Sequence, residues 1–523
     1  MISAIFLSRI LGLVREMVAS YYFGAEKNLV ADCYRAAFSL PDLLYFLIAG
    51  GALSSAFIPV FTEYLTNGEE EDAWKVYSVF GTTMVLGLGL VILLGEIFAE
   101  PLIRGVVAPG FPREKVLLTA SLTRIVLPAQ LCFFIGGLMM STLYARHHFL
   151  MPALGPVVYN AAIIVGGVIG GAFFGPVWGI YGMTWGVLTG ALIGNVLMQL
   201  AAMRRLGVRY RFSLDLRHPG VQRVSKLMLP VLLGLSLPYL HLIIARSYAS
   251  YLRQGSITWL TNANMVMQIP LGIFAQALAV AIFPTLSTLA AKRDMAGLRE
   301  QFSLGLRFIL FLTIPASVLV ILLAHPLIHL LFERGRWTSA DTIATAQATV
   351  WYALAVFALS GQQIVNRGFY ALQDTLTPML VGTVATFLYM GLNLVVMKPL
   401  AHVGLAMSFS AVNTLTLGVL LVLFHRRAGG LRGREVLASL QRIAAASAVL
   451  GAVAWAAREG MSRALGIHGA AGLTTATAAA LLLVAGGLGL VAYAATARLL
   501  RAPEAELVWE TVRRRLQRRR PRT

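Results

Sequence analysis

Charge is scarce in this chain. Of 523 residues only 13% are Asp, Glu, Lys or Arg, against 58% hydrophobic, and the mean hydropathy is +0.75. Soluble domains carry about 25% charged residues, so a soluble enzyme with a single anchor is excluded and a polytopic α-helical membrane protein is expected. Acids are scarcest, 23 against 43 Lys and Arg. The basic residues sit in short loops and in the tail TVRRRLQRRRPRT, where membrane topology accounts for them, and no nucleic-acid partner is expected. There are two cysteines, Cys33 and Cys132, far apart in predicted spans, which excludes a disulfide framework and leaves packing as their role. No GxxxxGK[ST] loop occurs and no soluble domain is present to house one, so direct ATP hydrolysis is excluded. His147-His148 has no companion ligands at metal spacing. Nothing resembles a nucleophile triad, and neither an enzyme nor a metal or cofactor site is expected. The first apolar run is interrupted by charge and followed by no small-residue cleavage site, so it is expected to remain in place.

What the chain has is length in apolar runs. Fourteen spans are read near residues 1–23, 29–65, 74–104, 115–145, 152–174, 178–204, 226–252, 256–290, 301–332, 342–370, 376–397, 402–425, 437–457 and 470–499. With the N-terminus inside, 26 Lys and Arg fall on the cytoplasmic side, 10 outside and seven within spans. The asymmetry predicts that both ends are cytoplasmic.

An internal repeat organises the chain. Ala52-Leu53, Ala56 and Pro59 return as Ala277-Leu278, Ala281 and Pro284. Ala99 and Pro101-Leu102-Ile103 return as Ala324 and Pro326-Leu327-Ile328, and Gly110 returns as Gly335, all 225 residues on. Tyr144-Ala145, Pro152 and Leu154 return as Tyr370-Ala371, Pro378 and Leu380 at 226. The repeat predicts an N-terminal lobe of six spans over 1–225 and a C-terminal lobe of six over 226–430. An even span count leaves the lobes the same way up, related by a pseudo-two-fold axis along the membrane normal with substrate between them. Two extra helices over 431–500, rich in Ala and Gly, and a basic tail over 501–523 lie outside the repeat. The tail is expected either to lie on anionic lipid or to serve as a topological anchor.

The first span carries Arg9, Arg15 and Glu16 at membrane depth, where each unpaired charge costs at least a few kcal/mol. At about 100° per residue Ser8, Arg9, Gly12, Arg15, Glu16 and Ser20 share an arc of roughly 140°, and in the next span Asp32, Arg35, Ser39 and Asp42 share roughly 80°. Two polar stripes on consecutive spans predict a common aqueous space, with an ion network that merely holds the bundle as the alternative. Asn262, Asn264, Gln268 and Gln276 mark span eight, and His241 and Arg246 span seven. Asn366 near the end of span ten and Asp374 in the following loop are candidates for an ion site, or for a helix-end network. Pro41, Gly50, Gly51 and Pro59 in span two, with Pro230 and Pro238 in span seven, are candidate hinges for alternating access, or static bends.

The segments SRILGLVRE, FGA, SLPDLL, GGALSSAFIPVFTEY, APGF and RGFYALQDTLTP, in order over roughly residues 8–430, resemble the MurJ (MviN) family of lipid II flippases, within the multidrug/oligosaccharidyl-lipid/polysaccharide (MOP) exporter superfamily. The resemblance implies fourteen helices in two six-helix lobes around a cationic cavity, with a lipid-tail groove formed by the two extra helices. It implies a bacterial inner-membrane transporter, taken here as a monomer, that turns undecaprenyl-diphosphate-linked disaccharide pentapeptide to the periplasmic leaflet for peptidoglycan assembly. Expected partners are that lipid, membrane lipids and cell-wall synthesis proteins. Membrane potential, or a Na+ or H+ gradient, is expected to drive the cycle. Arg9 and Arg15 match the arginines of the family's SRxLGxxR motif, Glu16 its following acid and Asp32 its second-helix aspartate. Guanidinium groups suit a diphosphate in a low-dielectric cavity. Tyr45, Phe46 and Met265 stand where arginines are common in the family, and Arg35 and Arg246 are the candidates to replace them. Alternatives are a flippase for another polyprenyl-linked oligosaccharide and a cation or drug antiporter of the same superfamily.

Overall fold

The computed structural model describes residues 2–48, 52–466 and 472–506, leaving aside a few side chains, chiefly those of 229–241. Every regular element among them is helical. By packing the chain divides into two compact units, Met1–Thr258 with Arg334–Thr338, and Trp259–Glu333 with Ser339–Thr523.

In the first unit α1 is Ile2–Phe23, α2 Val30–Ala37, α3 Ser39–Ile48, α4 Ala52–Thr66, α5 Glu70–Ile97 and α6 Ala99–Leu102. There follow α7 Arg113–Val126, α8 Ala129–Ala145, α9 Leu150–Phe173, α10 Gly175–Ala191, α11 Met198–Arg205 and α12 Pro219–Ala249. The expected span 29–65 is thus three helices. The break between α2 and α3 comes at Phe38, and Pro41, which lacks an N–H to give, sits in the first turn of α3 where none is needed. Gly50 and Gly51 lie outside the described residues.

Packing follows side-chain size. Phe57, Phe61, Trp74, Tyr77 and Phe80 interlock α4 with α5 through ring contacts. Helices α9 and α10 instead approach through glycine. A Cβ built on Gly170 would fall on the backbone of Gly179, so the two backbones meet directly. Helix α1 lies on the same α9, and α12 packs on α3 and α4.

The second unit holds α13 Ser256–Pro270, whose first turn belongs to the first unit, then α14 Gln276–Ala291, α15 Met295–Leu322, α16 Ala324–Phe332, α17 Ser339–Leu354 and α18 Val356–Ala371. It closes with α19 Leu376–Ala428, α20 Gly433–Ala464 and α21 Thr475–Leu499. A straight helix of 53 residues would run about 80 Å, more than twice the bilayer core of about 30 Å. Pro399 removes an N–H and crowds the preceding turn, and Ala401 takes φ 47°, so the chain breaks there. Its two arms double back, since Thr377 near one end and Arg426 near the other line one cavity.

Several features of the repeat read from the sequence recur in the elements. Pro59 inside α4 answers to Pro284 inside α14. Helix α6 starts at Ala99 and α16 at Ala324, and the left-handed His147 (φ 60°) after α8 answers to Gln373 (φ 59°) after α18. Among the described residues ten helical runs are long and apolar enough to cross a membrane, by length and composition. Helix α1 is not counted among them because every 18-residue stretch of it holds Arg9, Arg15 and Glu16.

Candidate functional site

The polar stripe of α1 faces α2 and α9, and there its charges find partners. Arg15 donates from Nε and Nη2 to Glu16 Oε1 at 3.2 and 3.0 Å and from Nη1 to Asn160 Oδ1 on α9 at 3.3 Å. Asn160 Nδ2 in turn donates to the Pro156 carbonyl at 2.9 Å and, at 3.4 Å each, to the Ser8 carbonyl and hydroxyl of α1. The other oxygen of Glu16 accepts from Arg35 Nη2 on α2 at 3.1 Å, and Arg35 is 5% exposed. Glu16 is therefore held between two guanidinium groups. Arg15 retains N–H donors beyond its bonds to Glu16 and Asn160.

Next to this triad Arg246, on α12, donates to Ser39 Oγ at 2.9 Å and pairs with Asp42 Oδ2 at 3.6 Å. Arg15 and Asp42 are near enough to interact, as are Arg35 and Arg246, so the five ionised groups form one set. Three guanidinium groups face two carboxylates, and the side chains of Arg15 and Asp42 stay 28% and 38% exposed. The set is thus partly open and holds one more guanidinium than carboxylate. Charges at this depth persist only when paired or wet.

Tyr45 and Phe46 stand beside this set as an aromatic wall. Their rings meet edge-on at 5.3 Å, Tyr45 meets Phe133 at 5.4 Å, and Phe133 meets Tyr159 at 5.2 Å. Met265 lies half-buried in α13. Arg9 is exposed on α1, with no hydrogen bond or ion pair among the described residues.

Asp32 is placed differently. It is 2% exposed, and its carboxylate accepts from Gly255 N at 2.7 Å, Thr258 N at 3.0 Å and Thr258 Oγ1 at 2.7 Å. It caps the start of α13, doing for another segment what an N-cap side chain does for its own helix. Around it the loops of the two repeats interlock. Glu26 pairs with Arg253. Gly110 N–H donates to Ser250 Oγ at 3.0 Å at the end of α12, where a Cβ would strike the Ser250 backbone. Gly335, at φ +60°, packs as tightly on Tyr21 at the end of α1, and Arg336 N–H donates to the Tyr21 carbonyl at 2.9 Å. The repeated glycines thus serve matching contacts, each gripping the first helix of the other repeat.

Asp374 accepts from Thr377 N at 3.0 Å and Thr377 Oγ1 at 2.8 Å, at the start of α19. Burial pushes its carboxyl up, but the Thr377 bonds and the Arg427 charge outweigh that and hold it below the usual aspartate value. Asn366 is half-buried on α18. Asn160 escaped the sequence reading because a lone amide in an apolar span carries no pattern; its only signal is Pro156 one turn earlier.

With ten helical runs among the described residues long and apolar enough for a bilayer, repeated features in its two halves, and a charged set on α1, α2, α3 and α12, the chain has the architecture of a multi-pass membrane transporter of the MOP superfamily. Two solved structures share the fold: "Lipid II flippase MurJ, inward closed conformation", TM-score 0.77 at 24% identity over 95% of this chain and 98% of that one, and an inward-facing multidrug resistance MATE family transporter of the MOP superfamily, TM-score 0.67 at 14% over 82% and 96%. The family model "Lipid II flippase MurJ" matches residues 19–475, and the chain belongs to that family. The chain is similar to "Probable lipid II flippase MurJ" of Buchnera aphidicola, 30% identical over 77% of this chain and 78% of that protein. It is likewise similar to the Vibrio cholerae protein of the same name, 29% identical over 92% and 94%.

Proposed function

We propose that this chain is a lipid II flippase of the bacterial inner membrane, carrying undecaprenyl-diphosphate-linked disaccharide pentapeptide from the cytoplasmic to the periplasmic leaflet, with both of its own ends cytoplasmic. The observation that carries the reading, beside family membership, is the surplus of guanidinium over carboxylate in the set Arg15, Glu16, Arg35, Asp42 and Arg246. A diphosphate brings the missing negative charge, and guanidinium forks bind its oxygens in pairs. Glu16 and Asp42 hold the arginines in place while the site is empty, so an arriving diphosphate competes with carboxylates instead of meeting bare cations. Arg35 and Arg246 thereby stand in for the arginines that Tyr45, Phe46 and Met265 do not supply.

The interlocked loops supply the second half of the reading. With the orientation given by the basic loops, they lie on the periplasmic side and act as the outer gate, which parts when the bound headgroup passes. No covalent step is involved. The decisive test is replacement of a host's own flippase by this chain, followed by an assay of lipid II on the outer leaflet. Restored exposure and growth are expected; growth arrest with the protein correctly inserted would refute the assignment.

A further inference from the structure

The second unit holds a cavity that the transport reading does not use. Phe369 at the end of α18, Asp374 in the turn, Thr377 at the start of α19, and Leu423, Arg426 and Arg427 at its far end line about 320 Å³, the lower range of small-ligand sites.

Three arginines around this end of the unit are engaged. Arg299 Nη1 donates to the Gly429 carbonyl at 3.0 Å, Arg432 pairs with Glu300 at 2.9 Å, and Arg307 lies 3.4 Å from Glu504 and 3.7 Å from Glu435. Arg426 and Arg427 have neither a hydrogen bond nor an ion pair within 4.0 Å among the described residues. Basic residues in a last helical turn complement the exposed carbonyls there, which accounts for the arginines alone. It does not account for a carboxylate in the same cavity. Both Asp374 oxygens accept from Thr377, yet each keeps lone pairs for a further donor.

Two guanidinium groups and one carboxylate around one space do not suit a simple anion, which Asp374 would repel. They suit a group that carries a phosphate and a primary ammonium a few bonds apart. We propose that this cavity binds phosphoethanolamine, its phosphate on Arg426 and Arg427 and its ammonium on Asp374, with Phe369 and Leu423 as the apolar wall. The chemistry is the same whether the group heads a phospholipid or is free in solution.

The test uses the purified full chain in detergent, with retained adducts counted by native mass spectrometry. The probes are phosphatidylethanolamine, phosphatidylcholine, phosphatidylglycerol, soluble O-phosphoethanolamine and inorganic phosphate. Phosphatidylethanolamine is expected to be retained in preference to the other two lipids, because a trimethylammonium donates no N–H and glycerol carries no charge. Asp374→Asn keeps an acceptor for the Thr377 N–H at the start of α19, turns its second contact into one that donates to Thr377 Oγ1, and removes the charge. It should weaken phosphatidylethanolamine retention up to about fivefold, the worth of one partly exposed ion pair, without weakening that of phosphatidylglycerol. The R426Q/R427Q pair should abolish retention of both. Competition by soluble O-phosphoethanolamine would assign the site to the free compound and its failure to compete to the lipid; either upholds the chemistry. Equal retention of phosphatidylglycerol by the unaltered chain, displacement of the lipid by inorganic phosphate alone, or an Asp374→Asn protein that keeps the original preference would overturn it.

Discussion

Glu16 neutralises two arginines at once, so its loss is costlier than that of either arginine. Glu16→Gln keeps the volume and leaves Arg15 and Arg35 facing each other; removing one partner of a buried ion pair costs about 3–5 kcal/mol, and the partial opening of this set places the expected loss near the low end. A fall in the thermal midpoint larger than that of Arg15→Gln checks it. Asp32 tests a different principle. Asp32→Ala strands Gly255 N–H and Thr258 N–H in a buried place, at about 1–3 kcal/mol for each unsatisfied donor, whereas Asp32→Asn retains one acceptor and should recover part of the loss. The prediction at Asp374 concerns pH. Its folded carboxyl lies below the ordinary value of about 3.9, so its stabilisation is fully present above that value and is lost as pH falls through the lowered one. Midpoints recorded from pH 6 downwards should fall less steeply in Asp374→Asn than in the unaltered chain.

At the scale of elements, the α9–α10 contact depends on the absence of side chains. Gly170→Ala forces the helices apart and should cost about 1–3 kcal/mol as overpacking, while Gly87→Ala on α5, with nothing near its Cβ position, should be neutral or slightly stabilising. A thermal scan of the two variants separates close packing from a general intolerance of substitution. The elements themselves were largely legible in the sequence, because apolar run length is imposed by the bilayer and the repeat marks its own boundaries: Ala99 and Ala324 start short helices at matching places. The breaks were less legible. Nothing in the pattern of 29–65 distinguishes a bent span from separate helices, and Ala401 takes a left-handed conformation that only its tertiary surroundings impose. The charged set was legible where charge is anomalous, at Arg15, Glu16, Arg35 and Arg246. The capping role of Asp32 was not, since two of its three donors are backbone N–H groups some 223 to 226 residues away, and a backbone donor has no letter in the sequence.

At the scale of the whole molecule, the proposed function requires the charged set to receive a diphosphate and the interlocked loops to release it. Glu26→Cys with Arg253→Cys, oxidised to a disulfide, should stop transport in the replacement strain, and a reductant should restore it; unaffected transport would show that these loops do not part. The charged set is tested most directly by binding. The affinity of the purified protein for undecaprenyl diphosphate should exceed that for undecaprenyl monophosphate by at least about tenfold, the 1.4 kcal/mol that one further charge-assisted contact supplies, and Arg35→Gln or Arg246→Gln should erase most of the difference. Equal affinities for the two lipids, or a difference untouched by either substitution, would contradict the account.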